Sequence, residues 1–310
     1  MASSRPKALL AKIETVPGTD SVPVVGTDAV KLLDEVSVSM DMDYAPLNFA
    51  RDYIGTDTEL AVGTRLKVSC KVAAASSGTL GTAPHYDVLM RICGMRKLVT
   101  ASTKVEYFDD SDSAFESATI YYYFGGKLHK LLYAMGTWDL VMGKGGIPTL
   151  AFELTGLYGG ITDVTNGTLV FANCPNPVPV NKANTSVPTL HSYNATMYDL
   201  KVGVGNKVVH TNVPGVEDID ITDRERTGSI TIRDVLIATK DFPTIVRNAT
   251  VGGLSVQHGQ TATNIFEVVC TDVQLKNPKY GDVDMTITTG FDLRIQRTAK
   301  ANAGIKLICR

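Results

Sequence analysis

Residues 216–232 read VEDIDITDRERTGSITI, and their alternation of apolar and polar side chains indicates β-structure. Successive side chains of a strand point to opposite faces. Ile219 and Ile221 therefore share one face, while Asp218 and Asp220 share the other. The stretch predicts a strand that buries its isoleucines and presents carboxylates on the opposite side.

Similar alternating segments recur along the whole chain, bounded by Gly, Asn, Asp or Pro. Two stretches break this pattern with helical spacing: residues 83–94, which end at a capping Gly94, and residues 242–253, with Pro243 in the first turn. The sequence therefore predicts a mainly β fold with two helices. The predicted strands are residues 36–40, 65–72, 104–108, 118–124, 149–154, 199–204, 229–235, 264–270 and 284–289.

The chain has 310 residues, which is long for one domain, and a Pro-rich stretch divides it. We predict a first domain with an N-terminal arm over residues 1–160, a linker over 161–190, and a second domain with a C-terminal tail over 191–310. The two sides also look alike. VSVSM aligns with LKVGV at an offset of 164 residues, and FELTGLY is similar to ITTGFDL, which indicates an internal duplication.

The charge balance excludes a general attraction to nucleic acids or anionic membranes, because 30 Lys and Arg face 32 Asp and Glu. The N-terminal residues lack the long apolar run of a signal peptide, and no later stretch has the length of a membrane span. We therefore expect a protein made in a cytoplasm and without a membrane partner.

Sequence motifs for catalysis or cofactor binding are weak throughout. The five cysteines are widely spaced and read as buried free thiols, and the five histidines lack zinc-site spacing. Residues 142–148, MGKGGIP, lack the spacing of a phosphate-binding loop. A metal-dependent hydrolase that uses the acidic strand within residues 216–232 remains an alternative, although Arg224 and Arg226 would repel a cation. We predict no cofactor, no metal and no enzymatic activity.

The aromatic run TIYYYFGGKLHKLLYAMGTW at residues 119–138 has two interpretations. One is a stacking platform for single-stranded nucleic acid, but Lys127 and Lys130 are its only basic residues. The other is a hairpin that turns at Gly125 and Gly126. Under this second interpretation, amphipathic tyrosines lie at an inter-subunit hairpin: Tyr121, Tyr122 and Tyr123.

Several segments, read in order, resemble the major tail tube proteins of long-tailed, siphovirus-like bacteriophages. The resemblance covers most of residues 7–295. The segments that carry it are KALLAKIETVPGTDSVPVVGTDAVKLLDEV (7–36), GTLGTAPHYDVLMRICG (78–94), KVEYFDDSDSAFESATIYYYFGGKLHKLLYAMGTWDLVM (104–142), LTGLYG (154–159) and ITDRERTGSITI (221–232).

The resemblance implies a fold of two tandem tail-tube-type β-sandwich or half-barrel domains, each with one flanking helix. On oligomerisation such domains form a continuous β-barrel ring, and stacked rings form a hollow channel for DNA passage into the host. Most members form hexameric rings from one copy of the fold. Because this chain would carry two copies, we expect trimeric rings with pseudo-sixfold symmetry.

The resemblance also implies partners and a location. The chain would bind copies of itself, the tape measure protein, the tail terminator and distal tail or baseplate proteins, in the virion tail after assembly in the bacterial host cytoplasm. Double-stranded DNA would pass without specific binding. An alternative function is a virion-associated β-sandwich module that binds a receptor or carbohydrate, which the strand content and exposed tyrosines would suit.

A channel that DNA slides through should not retain phosphates, so we expect carboxylates on its wall. The lumen-lining candidates are Asp41, Asp43, Glu59, Asp218, Asp220 and Glu225. Long loops over residues 43–57 and 207–216 would contact the next ring. The inter-ring loop candidates are Tyr44, Arg51, Asp52, Asp57, His210 and Asn212.

Overall fold

The computed structural model describes residues 7–33, 36–110, 112–164, 169–300 and 302–310. Strands hold 55% of the residues and helices 4%, which confirms the mainly β class. The strands of the first half are β1 (Lys7–Ile13), β2 (Ala29–Val30), β3 (Val36–Pro46), β4 (Glu59–Ala73), β5 (Arg96–Thr100), β6 (Lys104–Phe108), β7 (Ala118–Phe124), β8 (Lys127–Gly143) and β9 (Thr149–Asp163). Those of the second half are β10 (Thr189–Leu190), β11 (Tyr193–Asn194), β12 (Met197–Gly203), β13 (Asn206–Val213), β14 (Val216–Arg224), β15 (Thr227–Arg233), β16 (Val251–His258), β17 (Phe266–Val283), β18 (Thr286–Gln296) and β19 (Ile305–Cys309).

Strands β13 and β14 form a separate hairpin, and the other 17 strands form one connected antiparallel sheet. In the first half, neighbours pair in the order β2–β1–β7–β8–β9–β4–β3. In the second half, they pair in the order β11–β10–β16–β17–β18–β15–β12. The order of pairing along the chain is thus the same in both halves.

Rows of cross-strand neighbours give the correspondence between the halves. Val38, Val68 and Leu154 lie opposite one another on β3, β4 and β9. Their equivalents on β12, β15 and β18 are Leu200, Ile230 and Phe291. The offset is therefore 162 residues for the first two strands, close to the offset of 164 that the sequence suggested, and it falls to 137 for the third strand.

The two halves share one apolar core and are joined through the sheet. Residues 139–143 of β8 pair with residues 199–203 of β12, and β19 pairs with both β17 and β6. The end of the chain, predicted to be a C-terminal tail, thus contains β19, a strand with partners on both sides. The largest side chains of the common core are Trp138, Tyr86, Tyr107, Tyr122, Phe152 and Phe266.

The two predicted helices are confirmed, although each spans six residues: α1 (Asp87–Ile92) and α2 (Phe242–Arg247). Gly94 follows α1 with a φ of 72°, a left-handed conformation that suits glycine at a helix C-terminus. The Asp241 side chain caps α2 by accepting a hydrogen bond from the Thr244 amide. In each half, the helix comes after the second strand of the corresponding rows, which is β4 in the first half and β15 in the second.

The Pro-rich segment lies outside the strands over residues 169–188, apart from one bridge between Thr185 and His258. The His258 imidazole contacts two points of this segment, with Nδ1 at 2.9 Å from the Thr185 hydroxyl and Nε2 at 3.1 Å from the Val178 carbonyl. Val180 is buried in the core. The segment also bonds to the first half, where the Val170 amide donates to the Val25 carbonyl and the Val180 amide to the Gly146 carbonyl, so it packs against both halves.

One predicted strand begins too early. Asp284 and Met285 have φ angles of 51° and 61°, so they form the turn between β17 and β18, and β18 begins at Thr286. Two successive residues with positive φ are typical of the tight turns that fit the twist of a hairpin. The expected turn at Gly125 and Gly126, with φ angles of 60° and 79°, is confirmed.

Candidate functional site

Strands β3 and β4 carry a polar face opposite the core. Leu66 and Val68 are buried, so the alternating Arg65 and Lys67 face away from the core. Lys67 Nζ lies 2.5 Å from Asp41 Oδ2, and Arg65 Nη1 lies 2.6 Å from Asp43 Oδ2. The hydrogen bond from Lys67 lowers the pKa of Asp41, and that from Arg65 lowers the pKa of Asp43.

On this face the two carboxylates that were predicted to line a channel are matched by cations from the neighbouring strand. The same holds at the join of the two halves, where Lys201 Nζ lies 2.9 Å from Asp139 Oδ2. The face is therefore polar and mixed in charge. Close pairing of opposite charges leaves little field to attract or repel a distant phosphate.

The first part of the acidic stretch, Val216–Arg224, forms β14, which pairs with β13 in a hairpin. Ile219 and Ile221 are buried against Met135, and Asp218 and Asp220 point to the other side, as the alternation predicted. Asp220 is exposed and Asp218 half-buried. Burial raises the pKa of Tyr133, and the two nearby carboxylates raise it further. This patch is therefore a surface acidic cluster.

Two arginines of the stretch anchor the hairpin to the body of the chain. Arg224 Nε donates to Asn206 Oδ1 at 2.7 Å, and its Nη1 donates to the Asp109 carbonyl at 2.8 Å. Arg226 forms an ion pair with the fully buried Asp109. Burial lowers the pKa of Arg224. Glu225, between the two arginines, is exposed in the turn that leads to β15.

The proposed loop over residues 207–216 needs correction, because these residues form β13, a two-residue turn and the start of β14. The hairpin also lies against the first half. Asn212 Nδ2 donates to the Val62 carbonyl at 3.3 Å, and His210 is close enough to lower the pKa of Asp43. Asn212, predicted to contact another ring, thus contacts β4 of its own chain, and His210, predicted to do the same, lies near Asp43 of β3.

The loop over residues 47–58 joins β3 to β4 and has an apolar tip. Arg51 forms an ion pair with Asp57, whose carboxylate also accepts the Phe49 amide at 3.0 Å. The guanidinium of Arg51 lies over the Tyr53 ring, 5.3 Å from its centroid. Phe49, Tyr53 and Ile54 are largely exposed.

Of the other acidic and aromatic candidates near this loop, Asp52 lies exposed within it. Glu59 is exposed at the first position of β4, and Tyr44 is exposed on β3. Tyr44 and Asp52, which were predicted to contact a neighbouring ring, are thus on the surface. The ion pair between Arg51 and Asp57 links the two sides of the loop between β3 and β4.

The inter-subunit position of Tyr121, Tyr122 and Tyr123 needs correction. All three are buried within the chain, because β1 pairs along the whole of β7. The segment after β1 also contacts β7, since the Ser21 amide donates to the Thr119 hydroxyl. The Tyr121 hydroxyl donates to Asp20, and Tyr122 packs in the main core. These three tyrosines therefore do not supply the exposed aromatic surface that a carbohydrate-binding module would use.

A metal centre finds no support in the described part of the chain, where no three His, Cys, Asp or Glu side chains cluster. All five cysteines are free, and four of them are buried. Burial raises the pKa of the Cys70 thiol to about 12, which keeps it protonated and unreactive. Among the described residues, no helix combines the length and apolar character needed to cross a membrane.

Comparison with known proteins gives no family for this chain. A scan against models of protein families matched none, and a search of curated proteins also returned no match.

Proposed function

We propose that the chain is a structural subunit of a phage-type tail tube, which assembles into stacked rings around a channel for DNA. The observation that carries this proposal is the repeated pairing order, in which two similar halves join edge to edge through β8 and β12. The ordered motifs that resemble tail tube proteins support it independently. On this proposal the chain has a structural role in the wall of the tube and is not an enzyme.

The internal join supports a ring closed by repetition of the same contact. Each half contributes four strands to the sheet that runs from β3 to β17, so one chain supplies eight. Six similar halves, from three chains, would close a barrel of about 24 strands, and barrels of 16 to 18 strands already enclose an aqueous channel. The two halves of the chain would be the two tandem domains, and the ring would have pseudo-sixfold symmetry.

The polar face of this sheet suits a channel wall. A DNA duplex is retained by unpaired Lys and Arg, which release its counterions. On this face Arg65, Lys67 and Lys201 are all paired with carboxylates. Cations that are paired in this way would not retain the duplex, while the exposed Asp220 and the half-buried Asp218 of the β13–β14 hairpin add local repulsion.

On this proposal the chain acts in the tail of a virion and is assembled in the cytoplasm of a bacterial host. Its first partner is another copy of itself. A tape measure protein inside the tube, a terminator at one end and distal tail or baseplate proteins at the other are partners that the same resemblance implies.

Negative-stain electron microscopy of the purified full chain tests the proposal. We expect rings or hollow tubes, and class averages down the axis should show a channel and six similar lobes. Mass measurement of isolated rings should give three chains, and a mass of six chains would contradict the pseudo-hexamer. Featureless monomers at high concentration that bind glycans would instead favour the receptor-binding or carbohydrate-binding module.

A further inference from the structure

Strand β8 shows how the two halves of one chain are joined. Strand β9 occupies one edge of β8, so β7 and β12 share the other edge. Pairing with β7 ends at Ala134, and pairing with β12 takes over from Asp139 to Gly143. The last third of β8 is thus a docking edge for the first strand of the following half.

The equivalent edge of the second half carries no strand in the described part of the chain. Strand β17 is the equivalent of β8, and β16 pairs with it only as far as Gln274, while β18 occupies the other edge up to Val283. Residues 276–283 of β17 therefore present an open edge. An open edge also runs along β3, the equivalent of β12, since β4 is its one described partner.

The side chains at these open edges match those that the internal join buries. At the join, Trp138 and Val204 are fully buried, and the Val204 amide donates to the Trp138 carbonyl at 3.2 Å. By the pairing rows, their equivalents are Tyr280 on β17 and Met42 on β3. Tyr280 is 71% exposed in a single chain, which is unusual for the counterpart of a buried tryptophan.

Two further apolar side chains lead to the same conclusion. Val202 is buried at the join, whereas its equivalent on β3, Met40, is 43% exposed. Met285, in the turn after β17, is 97% exposed. Long, unprotected strand edges with apolar side chains are templates for pairing with another chain.

We infer that the open edge of β3 in one copy pairs antiparallel with residues 276–283 of β17 in a second copy. The register of the internal join places Met40 opposite Asp282, Met42 opposite Tyr280 and Asp43 opposite Lys279. The strands alternate in direction from β3 to β17, so this contact preserves the antiparallel order. This inference rests on the proposed function and names the subunit contact that closes its ring.

The charges at the interface agree with this register. In the single chain Asp43 lies beside Arg65, and Lys279 on the open edge of β17 is exposed. Bringing Asp43 opposite Lys279 adds a cross-strand pair of opposite charge, which favours this register over one that opposes like charges. Met42 and Tyr280 would cover each other on the core side.

Disulfide crosslinking of the full chain tests the register. Directly opposed residues of antiparallel strands have Cβ atoms about 4.5–5.5 Å apart, near the distance that a disulfide needs. Met40→Cys combined with Asp282→Cys should give covalent trimers under mild oxidation. Each single variant, and the out-of-register pair Met40→Cys with Met285→Cys, should stay uncrosslinked. A disulfide within one chain is not expected, because β3 and β17 lie at opposite ends of the pairing series.

A second variant tests the contact without cysteine chemistry. Tyr280→Ser should leave the unfolding midpoint of the chain unchanged, since the ring is exposed, and should abolish ring formation at concentrations where the unaltered chain assembles. Tyr158→Ser removes a tyrosine that is also exposed but lies on β9, away from both edges, and should assemble normally.

The outcomes separate this inference from the function on which it rests. Rings of the unaltered chain, with no crosslink in the Met40–Asp282 pair and normal assembly of Tyr280→Ser, would overturn the interface and leave the tube intact. A chain that forms no rings under any condition would overturn both. Covalent trimers from the in-register pair alone would support the contact and the count of three.

Discussion

A single buried carboxylate, directly after β1, anchors the end of that strand to the body of the chain. Glu14 accepts four hydrogen bonds, from the amides of Gly18 and Tyr133 and from the hydroxyls of Ser117 and Thr119. The residue is 7% exposed, so none of these donors has easy access to water as a replacement. A buried donor that loses its acceptor destabilises the folded state.

We therefore expect Glu14→Ala to lower the free energy of unfolding by about 3 kcal/mol. Glu14→Gln should cost less, because the amide oxygen keeps two acceptor positions and the Ser117 hydroxyl can rotate. Urea denaturation at a concentration that keeps the chain monomeric measures both. The exposed Glu59→Ala is the control and should change stability little; equal stability of all three variants would show that Glu14 is no anchor.

Tyr122 allows a test of whether the tyrosine hairpin serves the fold or an interface. Its ring is buried among core side chains within one chain. Removing a buried aromatic ring costs about 3–5 kcal/mol. We expect Tyr122→Ala to lose stability of this order, independent of protein concentration, whereas Tyr158→Ala should lose less than about 1 kcal/mol. A loss that appears only at concentrations where the chain assembles would return Tyr122 to the interface.

Sequence alternation located charged residues on the correct faces but could not show their partners. The spacing placed Asp218 and Asp220 opposite the buried isoleucines, as found. It could not show that Arg65 lies opposite Asp41, or that Lys67 and Arg65 reach Asp41 and Asp43 diagonally, because that depends on the register between β3 and β4. A register shift of one residue would reverse every face. An acidic wall was therefore predicted where the face is charge-matched.

At the scale of elements, the segment before α1 contributes a pH dependence to stability. Burial lowers the pKa of His85, which precedes α1, to about 4. In the unfolded chain a histidine titrates near pH 6.5, so between these values the unfolded state binds more protons. The free energy of unfolding should then fall as the pH decreases from about 6.5, by at most about 1.4 kcal/mol per pH unit for this group.

Urea unfolding at several pH values between 7 and 5 measures this slope. Burial also lowers the pKa of His191 and His258, and both contribute in the same direction. His85→Phe should remove its share and leave a shallower dependence. An unchanged slope in His85→Phe would show that the histidine is already neutral or accessible in both states.

Elements that were predicted from sequence are those with strong local signals. Strand β7 and the turn at Gly125 and Gly126 follow directly from β-branched and aromatic alternation and from the paired glycines. Strand β13 was read as a loop, because residues 206–213 depend on pairing with β14 and on Asn206, which reaches the Cys93 and Gly136 carbonyls. Such a strand is fixed by tertiary contacts, which no local pattern carries.

At the scale of the molecule, the similarity of the halves was visible in the sequence only as short segments at shifting offsets. The pairing rows align the two halves over more residues than the sequence does, because each row links three strands at once. The join between β8 and β12, and the open edges that it leaves at β3 and β17, have no sequence signal. They follow from the topology of the whole sheet, which also shows that the exposed Tyr280 lies on an open edge.

Stacking of rings is the remaining contact of a tube, and two apolar surfaces lie at opposite ends of the sheet. Strands β4 and β15 are equivalent and run in the same direction. The loop with Phe49, Tyr53 and Ile54 precedes β4, whereas the exposed Leu236 and Ile237 follow β15. A contact between unlike surfaces at the two ends of a subunit repeats without closing, and so builds a filament.

We therefore predict that Phe49→Ser, Tyr53→Ser and Ile54→Ser, combined in one chain, separate ring formation from tube formation. The side chains are 67%, 63% and 105% exposed, so the unfolding midpoint should not change. The three residues lie outside the Met40–Asp43 segment of β3 that the inferred contact uses, so rings should still form. Sedimentation and electron microscopy should find single rings in place of tubes. Leu98→Ser with Val99→Ser, two exposed apolar residues on β5, is the matched control and should form tubes normally. Tubes of ordinary length from the triple variant would exclude the loop as the inter-ring contact, since no apolar tip would then remain to enter the neighbouring ring.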